Sequence, residues 1–273
     1  VNQAQVVVIS VASGAVVSVL EQVGPYLGDV ESLWLTSKGF WQTETEVELL
    51  PEAIKQIAKT KGINLPPLVA IAGPVKASEC ASAKPTATVF ACRDYELAKR
   101  YAKTVTTPNY SVTPSQDEIG VEVCAALKNI YAIALGIADG MSTADEQPRD
   151  NLRAAIFVQA VAEMASLCQA LGGDLQTAYG LAGMGDLQLT STAGRSRLYG
   201  HAVGAGQNPR QALEQMQSQG LTIEGSPAAL IAHQLVQQLG LNAPLLEAVY
   251  QMLHGHVDDA RALICAVALG IDA

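Results

Sequence analysis

The chain has 273 residues, 49 % of them hydrophobic and 16 % charged, enough material for one large domain or two ordinary ones and too apolar for a disordered chain. A formal net charge of −9 argues against nucleic acid or an anionic membrane surface as a main partner, while a small anion held by a few local cations remains open. Cysteines at 80, 92, 124, 168 and 265 lack CxxC spacing and read as reduced thiols of a cytoplasmic protein; His254-Gly255-His256 is the nearest approach to a metal pair, and no metal site is expected.

In chain order, the apolar run 6–20 is too short to span a bilayer and follows no basic residue. It reads as a buried strand over 6–11 and a helix over 16–27 closed by Gly28. A second strand over 31–36 ends at Ser37-Lys38-Gly39, a helix covers 52–60, and a strand over 67–72 ends at Gly73-Pro74. A strand over 86–91, a helix over 95–103 and a short strand over 110–112 follow. Strand–helix alternation with unbroken apolar strands predicts a mostly parallel sheet covered on both faces, with ligands beyond its strand C-termini. The strand at 6–11 is expected to leave an unpaired edge, which favours pairing with another chain, so a homodimer is among the expectations.

After Ser115 the period changes to that of helices, over 118–138, 150–171, 174–180, 194–204, 209–217, 224–238, 243–254 and 257–269, punctuated by glycines. The reading is α/β: residues 1–115 form half of a doubly wound domain, and residues 116–273 an all-helical C-terminal domain carrying substrate and catalysis.

The most informative side chain is Lys128. Between Val121 and Ile137 the only charged or amide side chains are Glu122, Lys128 and Asn129. An ammonium in so apolar a run either snorkels to the surface or is used in chemistry, where burial brings its proton affinity toward the working range. Gly180-Leu-Ala-Gly-Met-Gly-Asp186 lets backbone come close to a ligand or helix; Asp186 is then a counter-ion for a buried lysine or simply a helix cap, and Thr190 follows one turn later. No strand precedes these glycines, so a dinucleotide loop is rejected. Arg195-Ser196-Arg197 at a helix start suits a phosphate, though a solvated helix face looks the same. Lys38 after a strand, Gly73-Pro74 with Ala77, and Glu224-Gly225 are weaker signals.

Taken together, Thr36-Ser-Lys-Gly39, Gly73-Pro-Val-Lys-Ala-Ser-Glu79, the stretch from Ile119 through Lys128-Asn129 to Gly140, Ala162-Glu163-Met164, the segment 180–190, Arg195, Glu224-Gly225 and the stretch 244–250 resemble the NAD(P)-dependent glycerol-3-phosphate dehydrogenases. The resemblance spans essentially the whole chain. It implies a Rossmann-like sheet, NAD or NADP as cofactor, and dihydroxyacetone phosphate or glycerol 3-phosphate as the small phosphorylated substrate. It assigns catalysis to Lys128 as general acid/base, with Lys38 and Asp186 assisting. It places Lys38, Gly73, Asn129, Asp186, Thr190, Arg195 and Ser196 at the substrate, and Lys38, Ala77, Arg195, Thr222 and Glu224 on the cofactor side.

The departures are equally definite. No GxGxxG loop is present, so the half-domain that grips adenine and pyrophosphate is expected to be lacking and cofactor binding weakened. Ser196 stands where the family has asparagine, Gly194 where serine is common, Val75 at a hydroxyl position, and Val158-Gln159-Ala160 in place of a T-R-G stretch. Two or three lost hydrogen bonds at about 1 kcal/mol each weaken substrate binding by roughly tens- to hundredsfold. A non-catalytic relative acting as a binding or dimer partner, and a dehydrogenase of another small anion, therefore remain beside the enzyme reading.

Overall fold

The computed structural model describes residues 3–43, 47–255, 257 and 259–271. In the first part, β1 (Val6–Ile9), α1 (Val16–Val23), β2 (Ser32–Leu35), the hairpin strands β3 (Phe40–Gln42) and β4 (Val47–Leu49), α2 (Leu50–Lys61), β5 (Leu68–Ala72), α3 (Ala77–Ala81), β6 (Thr86–Ala91), α4 (Tyr95–Val105) and β7 (Tyr110–Ser115) follow one another. The five-stranded sheet has the order β1-β2-β5-β6-β7, with β1 on β2, β2 on β5 and β6 on β7 parallel. Side chains alternate across it as the pleat requires. Leu33, Leu35 and Leu68 pack under α1 and α2, while Trp34, Val69 and Phe90 face α4.

Two features depart from the expected pattern. β5 and β6 run antiparallel, with Ala70 opposite Ala91. The intervening α3 has five residues, which rise ~7.5 Å against the ~17 Å of a five-residue strand; it is too short for the helix that ordinarily carries a parallel crossover, and β6 re-enters from the near end of the sheet. The β3–β4 hairpin, Phe40 opposite Leu49, had no counterpart in the sequence reading. It buries Phe40, Val47 and Leu49 in the helical core and anchors the loop that carries Lys38.

The helical part comprises α5 (Glu118–Ala144), α6 (Asp150–Ala170), a 3-10 turn (Leu175–Tyr179), a π turn (Leu181–Gly185), α7 (Asp186–Ala193), α8 (Arg195–Gly204), α9 (Pro209–Ser218), α10 (Gly225–Leu239), α11 (Pro244–Leu253) and α12 (Ala260–Ala268). The helix expected over 257–269 includes Asp258, which lies outside the described residues, as does His256 of the histidine pair. Among the described residues α5 alone is long and apolar enough to cross a bilayer, and its most apolar window is 89 % buried inside the protein, which makes it the core helix. Its N-terminal half lies on β5, so sheet and helices share one hydrophobic core at this seam.

α8 crosses α5 at backbone contact. A Cβ on Gly136 would lie 2.2 Å from the Arg197 carbonyl oxygen, and one on Gly200 2.0 Å from that of Ile133. Glycine is required there for close approach, and the contact sets the N-terminus of α8 beside the middle of α5, where Lys128 sits.

Candidate active site

A cleft of about 680 Å³ opens where the C-terminal ends of β1 and β2 meet α5, α7 and α8. Open α/β sheets bind ligands at this end of their strands. Lys38, Lys128, Asn129, Asp186, Thr190, Arg195, Ser196, Thr222 and Glu224 all line it. Segments separated by most of the chain thus converge on one hollow.

At its floor, Lys128 Nζ and Asp186 Oδ1 are 2.5 Å apart, with side chains 11 % and 3 % exposed. The π turn of Leu181–Gly185, rather than a nucleotide loop, delivers Asp186 to the first position of α7. Gly183 permits the turn, since a Cβ there would lie 2.2 Å from the Ala178 carbonyl oxygen. Asp186 Oδ2 accepts from the Gly73 amide at 3.3 Å, so one carboxylate ties together α5, α7 and the end of β5. Gly73, at φ 144°, has room for no side chain: a Cβ would stand 3.0 Å from Thr88 Cα. Burial lowers the proton affinity of Lys128 below the ordinary lysine value, Asp186 opposes that shift and Lys38 adds to it. A largely buried lysine poised between burial and a single carboxylate holds its proton less firmly than a solvated one and can exchange it with a bound substrate.

Lys38 sits in the loop between β2 and β3, its Nζ donating to the Thr36 carbonyl at 3.2 Å. Ser37, beside it, accepts from the Val11 amide at 3.1 Å and donates to the Val11 carbonyl at 2.6 Å, which joins the loops after β1 and β2. Gly39 completes the turn at φ 133°.

At the rim, Glu224 bridges two predicted residues, accepting from Asn129 Nδ2 at 2.9 Å and from Arg195 Nη2 at 3.3 Å. Its position follows from Gly225, where a Cβ would lie 2.5 Å from the Asn129 carbonyl oxygen. Arg195 opens α8, whose N-cap Gly194 provides no side-chain cap, so the first amides of that helix are left to the cleft or its contents. Ser196 is 2 % exposed, and its Oγ accepts from the Gly225 amide at 3.3 Å, so its hydroxyl serves the α8–α10 contact. Gly73 and Ala77 are not among the cleft-lining residues; Ala77 is exposed at the start of α3, and Val75 and Lys76 line the wall instead.

Sequence reasoning passed over Ser37, the Val11–Ala12–Ser13 loop and Glu122. The first two follow from the rule that ligands sit beyond parallel strand ends. The signal for Glu122 was its place as the only acid in the apolar run of α5; it is 1 % exposed, and burial pushes its carboxyl up to about 8. Among the described residues no group of three or more His, Cys, Asp or Glu side chains is arranged to hold a metal ion.

Comparison with known proteins agrees with this geometry. The family model described as NAD-dependent glycerol-3-phosphate dehydrogenase N-terminus matches residues 1–98, and that described as the C-terminus matches residues 117–263. The NADP(+)-dependent glycerol-3-phosphate dehydrogenase of Archaeoglobus fulgidus is 32 % identical over 254 residues, 93 % of this chain and 75 % of that protein. The glycerol-3-phosphate dehydrogenase (NAD(P)+) of Geobacter metallireducens is 37 % identical over 244 residues, 87 % of this chain and 68 % of that protein. Among solved structures, a glycerol-3-phosphate dehydrogenase from Coxiella burnetii superposes with a TM-score of 0.83 at 31 % identity, covering 96 % of this chain and 76 % of that one. With both halves of the family matched and the lysine–aspartate pair in place at the seam between them, the chain belongs to the NAD-dependent glycerol-3-phosphate dehydrogenase family.

Proposed function

We propose that this chain is an NAD(P)-dependent oxidoreductase interconverting dihydroxyacetone phosphate and glycerol 3-phosphate, with Lys128 exchanging the proton at the C2 oxygen. The observation that carries the reading is the Lys128–Asp186 pair on the cleft floor. Burial weakens the hold of Lys128 on its proton, and Asp186, fixed in turn by the Gly73 amide, aims Nζ into the cleft. In ketone reduction Lys128 protonates the oxygen as carbon is reduced; in alcohol oxidation the neutral amine takes the hydroxyl proton. Lys38 adds a second positive charge that favours negative charge building on the same oxygen.

The phosphate of the substrate is assigned to Arg195 and the first amides of α8, which combine a guanidinium fork with the positive end of a helix. Asn129 and Thr190 line the same cleft and are assigned to the substrate hydroxyls. Ser196 supports the seat from behind through Gly225.

The cleft wall on the sheet side fits a nicotinamide ring. It is built from backbone and small side chains at Val11, Ala12, Ser13 and Gly39, which let a flat ring approach, with Lys38 beside it and Thr222 and Glu224 on the helical side. Bound nicotinamide supplies or accepts the hydride. Gly73 acts on the site from outside the cleft lining, through Asp186. Residues 1–115 are thus proposed as the cofactor-facing unit and residues 116–273 as the substrate and catalytic unit. The edge of β1, where Val8 is 51 % exposed, offers unpaired backbone for a homodimer, and five free cysteines suit a reducing cytoplasm.

The test is an initial-rate assay of NADH and NADPH oxidation with dihydroxyacetone phosphate against dihydroxyacetone. Charge-assisted bonds to phosphate are expected to favour the phosphorylated ketone about 100-fold or more in kcat/KM. Equal rates would contradict the phosphate seat, and turnover of only a different small anionic ketone would reassign the substrate.

A further inference from the structure

The corner between α7 and α8 gives the cleft Thr190, Ala193, Gly194, Arg195 and Ser196. Two residues of the same corner, Ser191 and Arg197, do not line the cleft; they are held by Asp139 of α5, directly or through one intermediary. Asp139 Oδ2 accepts from Arg197 Nε at 2.8 Å, and its Oδ1 accepts from Arg153 Nε at 3.1 Å. Arg153, on α6, passes the grip on: its Nη2 donates to Ser191 Oγ at 3.0 Å, and that hydroxyl donates to the Gln188 carbonyl at 2.9 Å. One carboxylate thus joins α5 and α6 to the end of α7 and to the first turn of α8.

Between the two held points the chain bends sharply. The Gly194 amide donates to the Thr190 carbonyl at 2.8 Å, and a Cβ on Gly194 would lie 2.5 Å from that oxygen. α8 begins there with no side-chain cap. Arg195 itself is half exposed, and its pairing with Glu224 at 3.3 Å is screened by solvent. The fork is better shielded, with Asp139 18 % exposed and both arginines largely buried, so its charge-assisted bonds are the firmer tie. The two arginines of Arg195-Ser196-Arg197 therefore divide the work, one lining the cleft and the other gripping the frame.

We propose that Asp139 is a positioning residue for the phosphate seat: through Arg197 and Arg153 it holds the α7–α8 corner so that Arg195 and the first amides of α8 meet a phosphate together. The inference rests on the reading of those groups as the phosphate seat. Without the carboxylate, two cations face each other at the corner and the parts of the seat shift against one another.

The experiment measures kcat/KM for dihydroxyacetone phosphate and for dihydroxyacetone, with Tm, in the wild type, Asp139→Asn, Asp139→Glu and Ser191→Ala. The ratio of phosphorylated to unphosphorylated ketone is expected to fall about tenfold in Asp139→Asn and about threefold in Ser191→Ala, which loses one hydroxyl and no charge and carries the test if Asp139→Asn fails to fold. Asp139→Glu restores the carboxylate and should recover much of the ratio. A lowered Tm with an unchanged ratio overturns the proposal. A second readout needs no turnover: 31P NMR titration with glycerol 3-phosphate in the presence of NADH, two reduced species that cannot react. Its Kd should rise about tenfold in Asp139→Asn. Equal Kd in wild type and variants overturns the proposal, and no binding by the wild type overturns it together with the seat. Weakened binding in a chain that reduces no ketone leaves the positioning role standing and refutes the redox reading alone.

Discussion

The cleft floor and the junction of α6 with α11 each bury a carboxylate, Asp186 at 2 % exposure and Glu163 at 3 %. Their partners differ. Glu163 accepts from Gln159 Nε2 at 2.9 Å and the Leu245 amide at 2.7 Å on one oxygen, and from Tyr131 Oη and the Leu246 amide, both at 3.0 Å, on the other. Four neutral donors fill its lone pairs, two of them amides at the start of α11, where the helix dipole favours negative charge. Burial still pushes Glu163 up, against those bonds. Asp186 has one ammonium, one amide and an open cleft beside it. Equal burial therefore produces a fastener in one place and a reactive pair in the other, and the number and charge of the donors decide which.

Substitutions can break that comparison, and the largest effect is expected at Lys128. Lys128→Ala removes the proton donor and should lower kcat by about a hundred- to ten-thousandfold in a steady-state assay. Asp186→Asn should cost about a hundredfold in kcat with little change in melting temperature, because the uncompensated lysine sheds its proton rather than its fold. Arg195→Ala should raise KM about tenfold or more, by an amount that shrinks as salt is added, since its side chain is 49 % exposed and its pairing with Glu224 is screened. Glu163→Gln turns an amide NH2 toward backbone donors. It should lower stability by about 2 kcal/mol, seen as a fall of about 4–8 °C in Tm, with kcat and KM near wild type. A Glu163 variant that lost activity while keeping its stability would dissolve the distinction between the two carboxylates.

Lys128 was legible in the sequence because a cation within an apolar helical run stands out without any partner in view. Asp186 was legible as its counter-ion only through the glycine spacing before it. The long helices α5, α6 and α10 were legible as extended apolar runs, although α5 continues past 138 to Ala144 and α7 (Asp186–Ala193) had no counterpart in the sequence pattern. The β3–β4 hairpin was not legible: three-residue strands carry no measurable alternation. The antiparallel direction of β6 goes with a short α3 in place of a crossover helix, and a five-residue helix leaves little trace in periodicity. Ser196 lines the cleft as its place after Arg195 suggests, but its hydrogen bond to the Gly225 amide, 29 residues away, had no local signal. Glu163 met its partners 82 and 83 residues on, beyond the reach of any local reading.

The most direct test of Lys128 as the proton-exchanging group is the pH dependence of kcat/KM in both directions. Its folded proton affinity is lowered below the ordinary lysine value of 10.5. Ketone reduction needs the ammonium and should fall as pH rises through the lowered value, whereas alcohol oxidation needs the free amine and should rise over the same interval. The residual activity of Lys128→Ala should show neither limb. Profiles that move in the same sense in both directions, or limbs that persist in Lys128→Ala, would contradict the assignment.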